Sequence, residues 1–268
     1  MIRKNLILLF AFTLLLTVAA SAQTVDDIIK KSTEARGGLQ KIKAIKSLKA
    51  TGKLTITSQG VEIPITLQQK RPNAFRMDAT FQGQSVVQAY DGESGWQVNP
   101  FQGVNEPDKM AGDDLKEAQE QADIDGPLVD YKEKGNTVEL VGKEDLEGTP
   151  AYKLKVTLKN GDVRYVYIDA ANYLELKVTA KRRSPGGEQE VDIYPSNYKP
   201  VNGVLFPFST EQKIAGQTQI QITIDKIDID AAVDDAVFKM PVKAAEKPKT
   251  DDKPKTEEKP KDKPPVRF

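Results

Sequence analysis

Acidic side chains are the groups in this sequence that could carry acid–base or metal chemistry. Close pairs among them include Asp91 and Glu93, Asp113 and Asp114, Asp228 and Asp230, and Asp234 and Asp235. Acid–base catalysis needs two carboxyls that face one pocket, whereas adjacent residues of a strand point to opposite faces. Asp228 and Asp230 do share a face, but Ala232 stands where a calcium loop would place its next ligand, and no glycine follows. We therefore expect no catalytic residue, no metal and no cofactor.

Histidine and cysteine are both absent from the sequence. Without them there is no Ser-His or Cys-His pair and no imidazole ligand for zinc or copper. A hydrolase that uses Asp or Glu alone stays open as an alternative, but we expect that the protein is not an enzyme. Lys plus Arg and Asp plus Glu both number 39, so the formal net charge is zero. Because there is no overall basic field, we expect no nucleic-acid partner.

The most regular alternation of apolar and polar residues runs through residues 70–101, which also contain the single tryptophan. A period of two is typical of half-buried strands, so we predict a run of antiparallel strands with one apolar face. Its large side chains are predicted to line one apolar cavity or core, and they are the candidate ligand-binding residues: Phe75, Met77, Phe81, Tyr90, Trp96 and Phe101. Composition alone favours a filled core over a cavity.

Short helices are predicted before and after this stretch. Thr24 and Asp27 form a capping pattern, and the apolar residues that follow predict a helix over residues 25–36 and a short helical turn over residues 39–45. Residues 113–121 predict a third helix with a thin apolar stripe. Because such a helix docks lightly, it is predicted either as a lid over the concave face of the sheet or as an ordinary connecting helix.

Most of the remaining chain reads as strands and tight turns. Alternation predicts paired strands over residues 48–56 and 61–67, and Pro64 should place the second of them at a sheet edge or in a bulge. The strand pattern is expected to stop between residues 105 and 130. It resumes at residue 137, with a hairpin turn at Asn160-Gly161, and continues to residue 224.

Composition divides the chain into three parts. Residues 1–22 combine Arg3 and Lys4 with an apolar run and small residues, which predicts a cleaved secretory signal peptide, with a membrane anchor as the alternative. Residues 23–242 are predicted to form one domain. Residues 243–268 are rich in Lys, Pro and acidic residues and predict a disordered tail. Because there is no cysteine to carry a bacterial lipid anchor, we expect a soluble protein after signal cleavage.

Short motifs within residues 70–101 resemble those of the outer-membrane lipoprotein carriers of the LolA and LolB type: Arg71-Pro72-Asn73, Asp91-Gly92, Trp96 and Asn99-Pro100-Phe101. The resemblance covers about residues 24–241. It implies a mainly β (α+β) fold, a half-open antiparallel β-barrel covered by short helices. It also implies that Arg71 governs the release of cargo.

The same resemblance implies a function. It points to a monomeric periplasmic carrier that binds the acyl chains of lipoproteins, or similar lipids, in an apolar cavity. Such a carrier would receive its ligand from an inner-membrane release transporter and pass it to an outer-membrane acceptor. The alternative is a periplasmic module on the same fold that senses a lipid or a partner protein without shuttling anything.

Overall fold

One continuous antiparallel sheet dominates the structure, a computed structural model that describes residues 23–241 except 185 and 186. Its thirteen strands, numbered along the chain, are β1 (Ser47–Ile56), β2 (Val61–Lys70), β3 (Ala74–Phe81), β4 (Gln84–Tyr90), β5 (Gly95–Asn99), β6 (Val104–Lys109), β7 (Thr137–Leu146), β8 (Thr149–Thr157), β9 (Val163–Asp169), β10 (Glu175–Ser184), β11 (Gly187–Val201), β12 (Val204–Ile214) and β13 (Gln217–Ile229). The predicted signal peptide (1–22) and the predicted tail (243–268) lie outside the described residues.

The sheet is open. Its spatial order is β6-β5-β4-β3-β2-β1-β13-β12-β11-β10-β9-β8-β7, so β6 and β7 lie at its two ends. In the middle of the sheet, the first strand, β1, pairs with the last, β13, and Leu48 lies opposite Ile229. This pairing joins the half formed by β1 to β6 with the half formed by β7 to β13. The predicted half-open antiparallel architecture with a few short helices is therefore confirmed.

Among the described residues, three α-helices accompany the sheet: α1 (Val25–Ala35), α2 (Leu39–Ala44) and α3 (Gly112–Gln121). The Thr24 hydroxyl accepts a hydrogen bond from the Asp27 N–H at 3.1 Å, and the Asp27 carboxylate accepts one from the Thr24 N–H at 3.2 Å, as the capping pattern predicts. Gly37, between α1 and α2, has a φ of +122°, and a Cβ there would lie 2.3 Å from the Gly203 carbonyl oxygen. The turn therefore requires glycine.

All three helices pack on the same face of the sheet, called the inner face below. α1 buries Ile28 against strands β8, β9 and β10, and α2 buries Ile42 against Leu48 of β1. α3 buries Ala118 against Phe75 of β3 and its neighbours. The register runs from Leu48 through β2 to Phe75 without a break, so these contacts share one side.

The outer face carries a different cover. After β13 the chain forms a 3₁₀ turn, Asp235–Phe238, and Phe238 is 1% exposed where it packs with Ala74. The Phe238 carbonyl accepts a hydrogen bond of 2.8 Å from the Trp96 indole N–H. Because Ala74 and Phe75 are adjacent in β3, they point to opposite faces. The C-terminal part of the domain therefore covers the outer side of strands β3 to β5.

Two expectations from the sequence are wrong: that Pro64 places its strand at a sheet edge or in a bulge, and that the strand pattern stops between residues 105 and 130. β2 lies inside the sheet, between β1 and β3, and its ladder with β1 shows no shift of register at Pro64. The β2–β3 ladder begins only at Ile65, which leaves Pro64 outside that ladder. β6 is a strand within a region where none was expected, and it contains Pro107. Proline is tolerated there because β6 is an edge strand.

Candidate functional site

An apolar strip on the sheet stays partly open to solvent. It consists of aliphatic side chains from β1, β2 and β13: Leu54, Ile56, Ile63, Ile220 and Ile222. Leu54 lies opposite Ile63 in one ladder and opposite Ile222 in the other, so the side chains share a face. In the part of the chain that the structure describes, none of the five belongs to a buried hydrophobic cluster. The strip is therefore apolar surface that is available for contact.

The apolar strip belongs to the inner face. Leu48 and Leu54 are both in β1, which keeps one register with β2 along its whole length. An even spacing along a strand places both side chains on one side. Leu48 packs in the cluster that α2 covers. The strip therefore faces the interior of the half-open barrel, on the side where the helices lie.

Three of the six sequence-predicted ligand-binding residues belong to one buried cluster on the inner face. Phe75 and Tyr90 form a cross-strand pair, are 2% and 5% exposed, and pack with Met77 against α3. They fill a core cluster with Ala118. A ligand could therefore touch them only after α3 moves.

Trp96 lies on the opposite face. The turn between β4 and β5 pairs Trp96 with Ala89, so that it points away from Tyr90. It is 3% exposed and packs with Val87 and Ala89 beneath the C-terminal segment. The expectation that Trp96 shares one cavity with Phe75 is wrong, because the sheet separates the two side chains.

Phe81 and Phe101 form a separate pair at the rim. Their ring centroids are 5.8 Å apart with a tilted geometry. Phe81 shares the face of Phe75 because the two are six residues apart in β3, and Phe101 is 52% exposed. The pair is therefore on the inner side of the sheet, and it is not part of the buried cluster.

Arg71 connects the end of β2 to the helices. Its Nε donates to the Ile45 carbonyl at 2.6 Å, and Nη2 donates to the Ile42 carbonyl at 3.1 Å, at the end of α2. Nη1 also donates to Asp125 Oδ2 at 3.0 Å, and Nη2 donates to Asp125 Oδ1. The peptide bond between Arg71 and Pro72 is cis. Through these contacts one guanidinium joins the β2–β3 turn, α2 and the segment that follows α3.

Asp125 is the buried counter-charge of this network. Its side chain is 3% exposed and also accepts a bond of 2.9 Å from Lys43 Nζ. Burial opposes ionisation of the carboxyl, but the hydrogen bonds from Arg71 and Lys43 outweigh it and lower the pKa of Asp125 to about 2. The hydrogen bond between Arg71 and Asp125 also raises the pKa of Arg71. All three groups are therefore charged at neutral pH.

Helix α3 contacts both halves of the sheet. On one side its Ala118 packs against β3 and β4. On the other side Glu120 forms an ion pair with Arg164 of β9, and Glu117 forms one with Arg182 of β10. α3 therefore spans the opening between the two halves, which favours the lid over the ordinary connecting helix.

A cleft of about 600 Å³ lies between α3 and strands β9 and β10, and the residues of both ion pairs line it. Within the described part of the chain, the Nε of Arg182 is buried there without a hydrogen-bond partner. Burial, reinforced by repulsion from Arg182, lowers the pKa of Arg164 to about 10, so that Arg164 stays charged at neutral pH. The cleft is therefore lined mostly by charged residues of both signs, and the two arginines lie in it beside Ala180.

The acidic pairs that could have carried chemistry make structural contacts. Asp91 Oδ1 accepts hydrogen bonds from the N–H groups of Glu93 and Ser94, and Asp234 Oδ1 accepts one from an N–H of the 3₁₀ turn. Asp230 accepts one from the Lys46 N–H at 2.7 Å. Within residues 23–184 and 187–241, no group of three or more acidic residues could hold a metal ion.

Sequence reasoning missed the apolar strip and the arginine pair as site residues. The alternation in residues 48–56 and 217–224 predicts strands with one apolar face. It does not show which part of that face a helix covers and which part stays exposed. Arg164 and Arg182 interrupt apolar alternation on the inner face, two residues from Val166 and from Ala180. A charged residue at such a position was the signal that could have found them.

Known structures with a similar fold come from several bacteria. A domain described as an outer membrane lipoprotein-sorting protein from Vibrio parahaemolyticus has a TM-score of 0.54 at 12% identity, covering 80% of this chain and 97% of that one. A LolA superfamily protein from Nitrosomonas europaea has a TM-score of 0.54 at 13% identity, with 81% and 98% covered. A DUF1329 family protein from Desulfovibrio piger has a TM-score of 0.51 at 12% identity, with 81% and 98% covered.

No protein-family model matches the sequence, and no curated protein matches it either. The structural likeness nevertheless covers most of the chain. The protein therefore has the fold of the LolA superfamily and of the lipoprotein-sorting domains, and the resemblance seen in the sequence is confirmed at the level of the fold. None of the helices among the described residues has the length and the hydropathy to cross a bilayer.

Proposed function

We propose that this protein is a periplasmic carrier that binds the acyl chains of lipoproteins, or of similar lipids, on the apolar strip and hands them to the outer membrane. The observation that carries the proposal is the strip itself, five aliphatic side chains that face the interior of an open barrel and stay partly exposed. A solved structure of similar fold is described as a lipoprotein-sorting protein domain, which supports the same reading.

Apolar contact with the strip can supply enough free energy to bind part of an acyl chain. Each methylene that leaves water contributes ~0.8 kcal/mol, so ~5 methylenes contribute roughly 4 kcal/mol before ordering costs. Such binding needs no polar contact at the strip. It also needs no enzyme chemistry, and we propose that the protein is not catalytic and acts without a metal or cofactor.

We further propose that Arg71 controls the opening of the interior. Its bonds to Ile42, Ile45 and Asp125 hold α2 and the segment after α3 against the β2–β3 turn. Entry of a ligand beneath the helices requires these elements to separate. The bonds therefore favour the closed, empty state, and they reform when the ligand leaves.

The partners and the location follow from the carrier role and are parts of the same proposal. The protein would act as a soluble monomer in the periplasm, receive its ligand from an inner-membrane release transporter and deliver it to an outer-membrane acceptor. A module that senses lipid on this fold would bind the same ligand without delivering it.

A pair of substitutions on one strand tests the binding surface. Ile222→Asp places a charge in the apolar strip, whereas Thr223→Asp places it on the outer face of the same strand, opposite Lys53. A fluorescent palmitoylated peptide should bind Ile222→Asp at least ~10-fold more weakly than wild type, because a charge in apolar contact is not compensated. Thr223→Asp should bind like wild type. Equal affinity in both variants would remove the strip from the binding site.

Transfer of the same peptide to lipid vesicles separates the two functions. A carrier should accelerate the arrival of the peptide in vesicles of phosphatidylethanolamine and phosphatidylglycerol that contain outer-membrane protein extract. A sensing module should bind the peptide and retain it. Binding without transfer to any acceptor membrane would therefore contradict the carrier role.

A further inference from the structure

Two arginines project from neighbouring strands into the interior beside α3. Arg164 lies opposite both Val156 and Ala180, and Val156 is a fully buried residue of the inner-face core. Arg182 follows Ala180 by two residues in β10, so it points to the same side. A pair of like charges beside an apolar core is stable only when anions neutralise it.

The carboxylates that form ion pairs with these two arginines lie on α3. Glu120 pairs with Arg164, and Glu117 pairs with Arg182. These pairs do not use every donor, because Nε of Arg182 is buried without a hydrogen-bond partner among the residues that the structure describes. The guanidinium fork matches carboxylate and phosphate groups, which can take two of its N–H donors at once. The site therefore offers one more hydrogen bond than its present partner accepts.

We propose that Arg164 and Arg182 bind the anionic head group of an amphiphile, a carboxylate or a phosphate, and that Glu117 and Glu120 occupy this site when the protein is empty. This rests on the proposed function, because the apolar chain of the same ligand lies on the apolar strip. Its anion replaces the two glutamates and frees the charged side of α3. The opposite side of α3 keeps its apolar contacts with β3 and β4.

The two parts of the site lie within the reach of one ligand. From Ile220 in β13, the inner face continues through Gln212 of β12 and Ile193 of β11 to Val178 of β10. Three strand spacings separate β13 from β10, a distance of roughly 14 Å at ~4.8 Å each. A long acyl chain can cross that distance with its head group beside the arginines.

The head group can be tested with matched ligands that compete against the fluorescent palmitoylated peptide. Laurate and dodecanol both have twelve carbons, and only laurate carries an anion. Charge-assisted hydrogen bonds contribute ~1.5–3 kcal/mol, so wild-type protein should bind laurate ~10-fold to 100-fold more tightly than dodecanol. The double variant Arg164→Gln with Arg182→Gln should bind the two equally, with the affinity for dodecanol unchanged.

The two glutamates of α3 supply the second variant. Glu117→Gln with Glu120→Gln removes the competing carboxylates, so the affinity for laurate should rise above that of wild type while the affinity for dodecanol stays within about twofold. Glu133→Gln, outside the cleft and exposed, is the matched control for a surface glutamate. Melting temperatures of all variants verify that each one folds.

The outcomes separate the two proposals. Equal binding of laurate and dodecanol by wild type would overturn the arginine site and leave the apolar strip in place. Absence of binding by both would overturn the strip and the arginine site together. Displacement of laurate by inorganic phosphate at comparable concentration would show a site for a free anion and overturn the proposal that the ligand is an amphiphile.

Discussion

Replacement of Arg71 by leucine should separate binding from release. The substitution removes all the hydrogen bonds that join the β2–β3 turn to Ile42, Ile45 and Asp125. Asp125 keeps Lys43 at 2.9 Å, so its charge remains paired. The protein should therefore fold, with a lower melting temperature.

The size of the effect follows from the lost contacts. If these hydrogen bonds together stabilise the closed state by roughly 1–3 kcal/mol, their removal raises the open fraction by about one to two decades. Because the ligand binds the open state, Arg71→Leu should bind the palmitoylated peptide at least as tightly as wild type. It should also release the peptide more slowly, since the closed, empty state no longer competes with the loaded one.

The assay is the transfer of the fluorescent peptide from loaded protein to acceptor vesicles, measured beside its equilibrium affinity. Arg71→Lys is the matched control, because an ammonium keeps the charge beside Asp125 but lacks the fork that also reaches two carbonyls. Its transfer rate should lie between those of the other two proteins. Transfer at the same rate by wild type and Arg71→Leu would refute the control of release by Arg71.

Two further predictions follow from Asp125 and Trp96. The pKa of Asp125 in the folded protein, about 2, lies below its ordinary value of 3.8, so its ion pairs stabilise the fold by about 2 kcal/mol above ~pH 4, and this stabilisation is lost as the pH falls towards 2. The difference in urea stability between wild type and Asp125→Asn should therefore be smaller at pH ~3 than at pH ~7, and a constant difference would contradict the buried charge. Acyl ligands should leave the fluorescence of Trp96 unchanged because Trp96 lies on the outer face. Phe238→Ala should shift the emission of Trp96 to the red. A ligand-induced change in wild type would place the ligand near the outer face.

Local patterns predicted the individual elements well. The capping residues before α1, the alternation in β1 and β2, and the Asn160-Gly161 turn between β8 and β9 all have the structure that their sequences indicate. Each of these signals depends on neighbours in the chain. The packing of the helices on the sheet and the open form of the sheet depend on contacts between residues distant in the chain. Periodicity does not predict these two features, and the resemblance to the carriers does.

The candidate site shows where such reasoning fails. Apolar alternation alone groups Trp96 with Phe75, but alternation within a strand does not carry across a turn. The loop from Asp91 to Ser94 closes with a backbone hydrogen bond of 3.1 Å, and this closure pairs Tyr90 with Gly95. A loop longer by one residue would have reversed the face of Trp96. The length and shape of one turn therefore decided which residues could meet.

The unpaired ends of the sheet have a consequence for how the molecule behaves in a crowded compartment. An exposed edge strand can recruit a strand from another copy, which leads to aggregation. Here β7 has a bulge between Leu140 and Gly142 and carries Glu139, Lys143 and Glu144, while β6 contains Pro107. These features disturb the regular ladder that a second copy would need. An open sheet can thus remain protected against self-assembly at both of its edges.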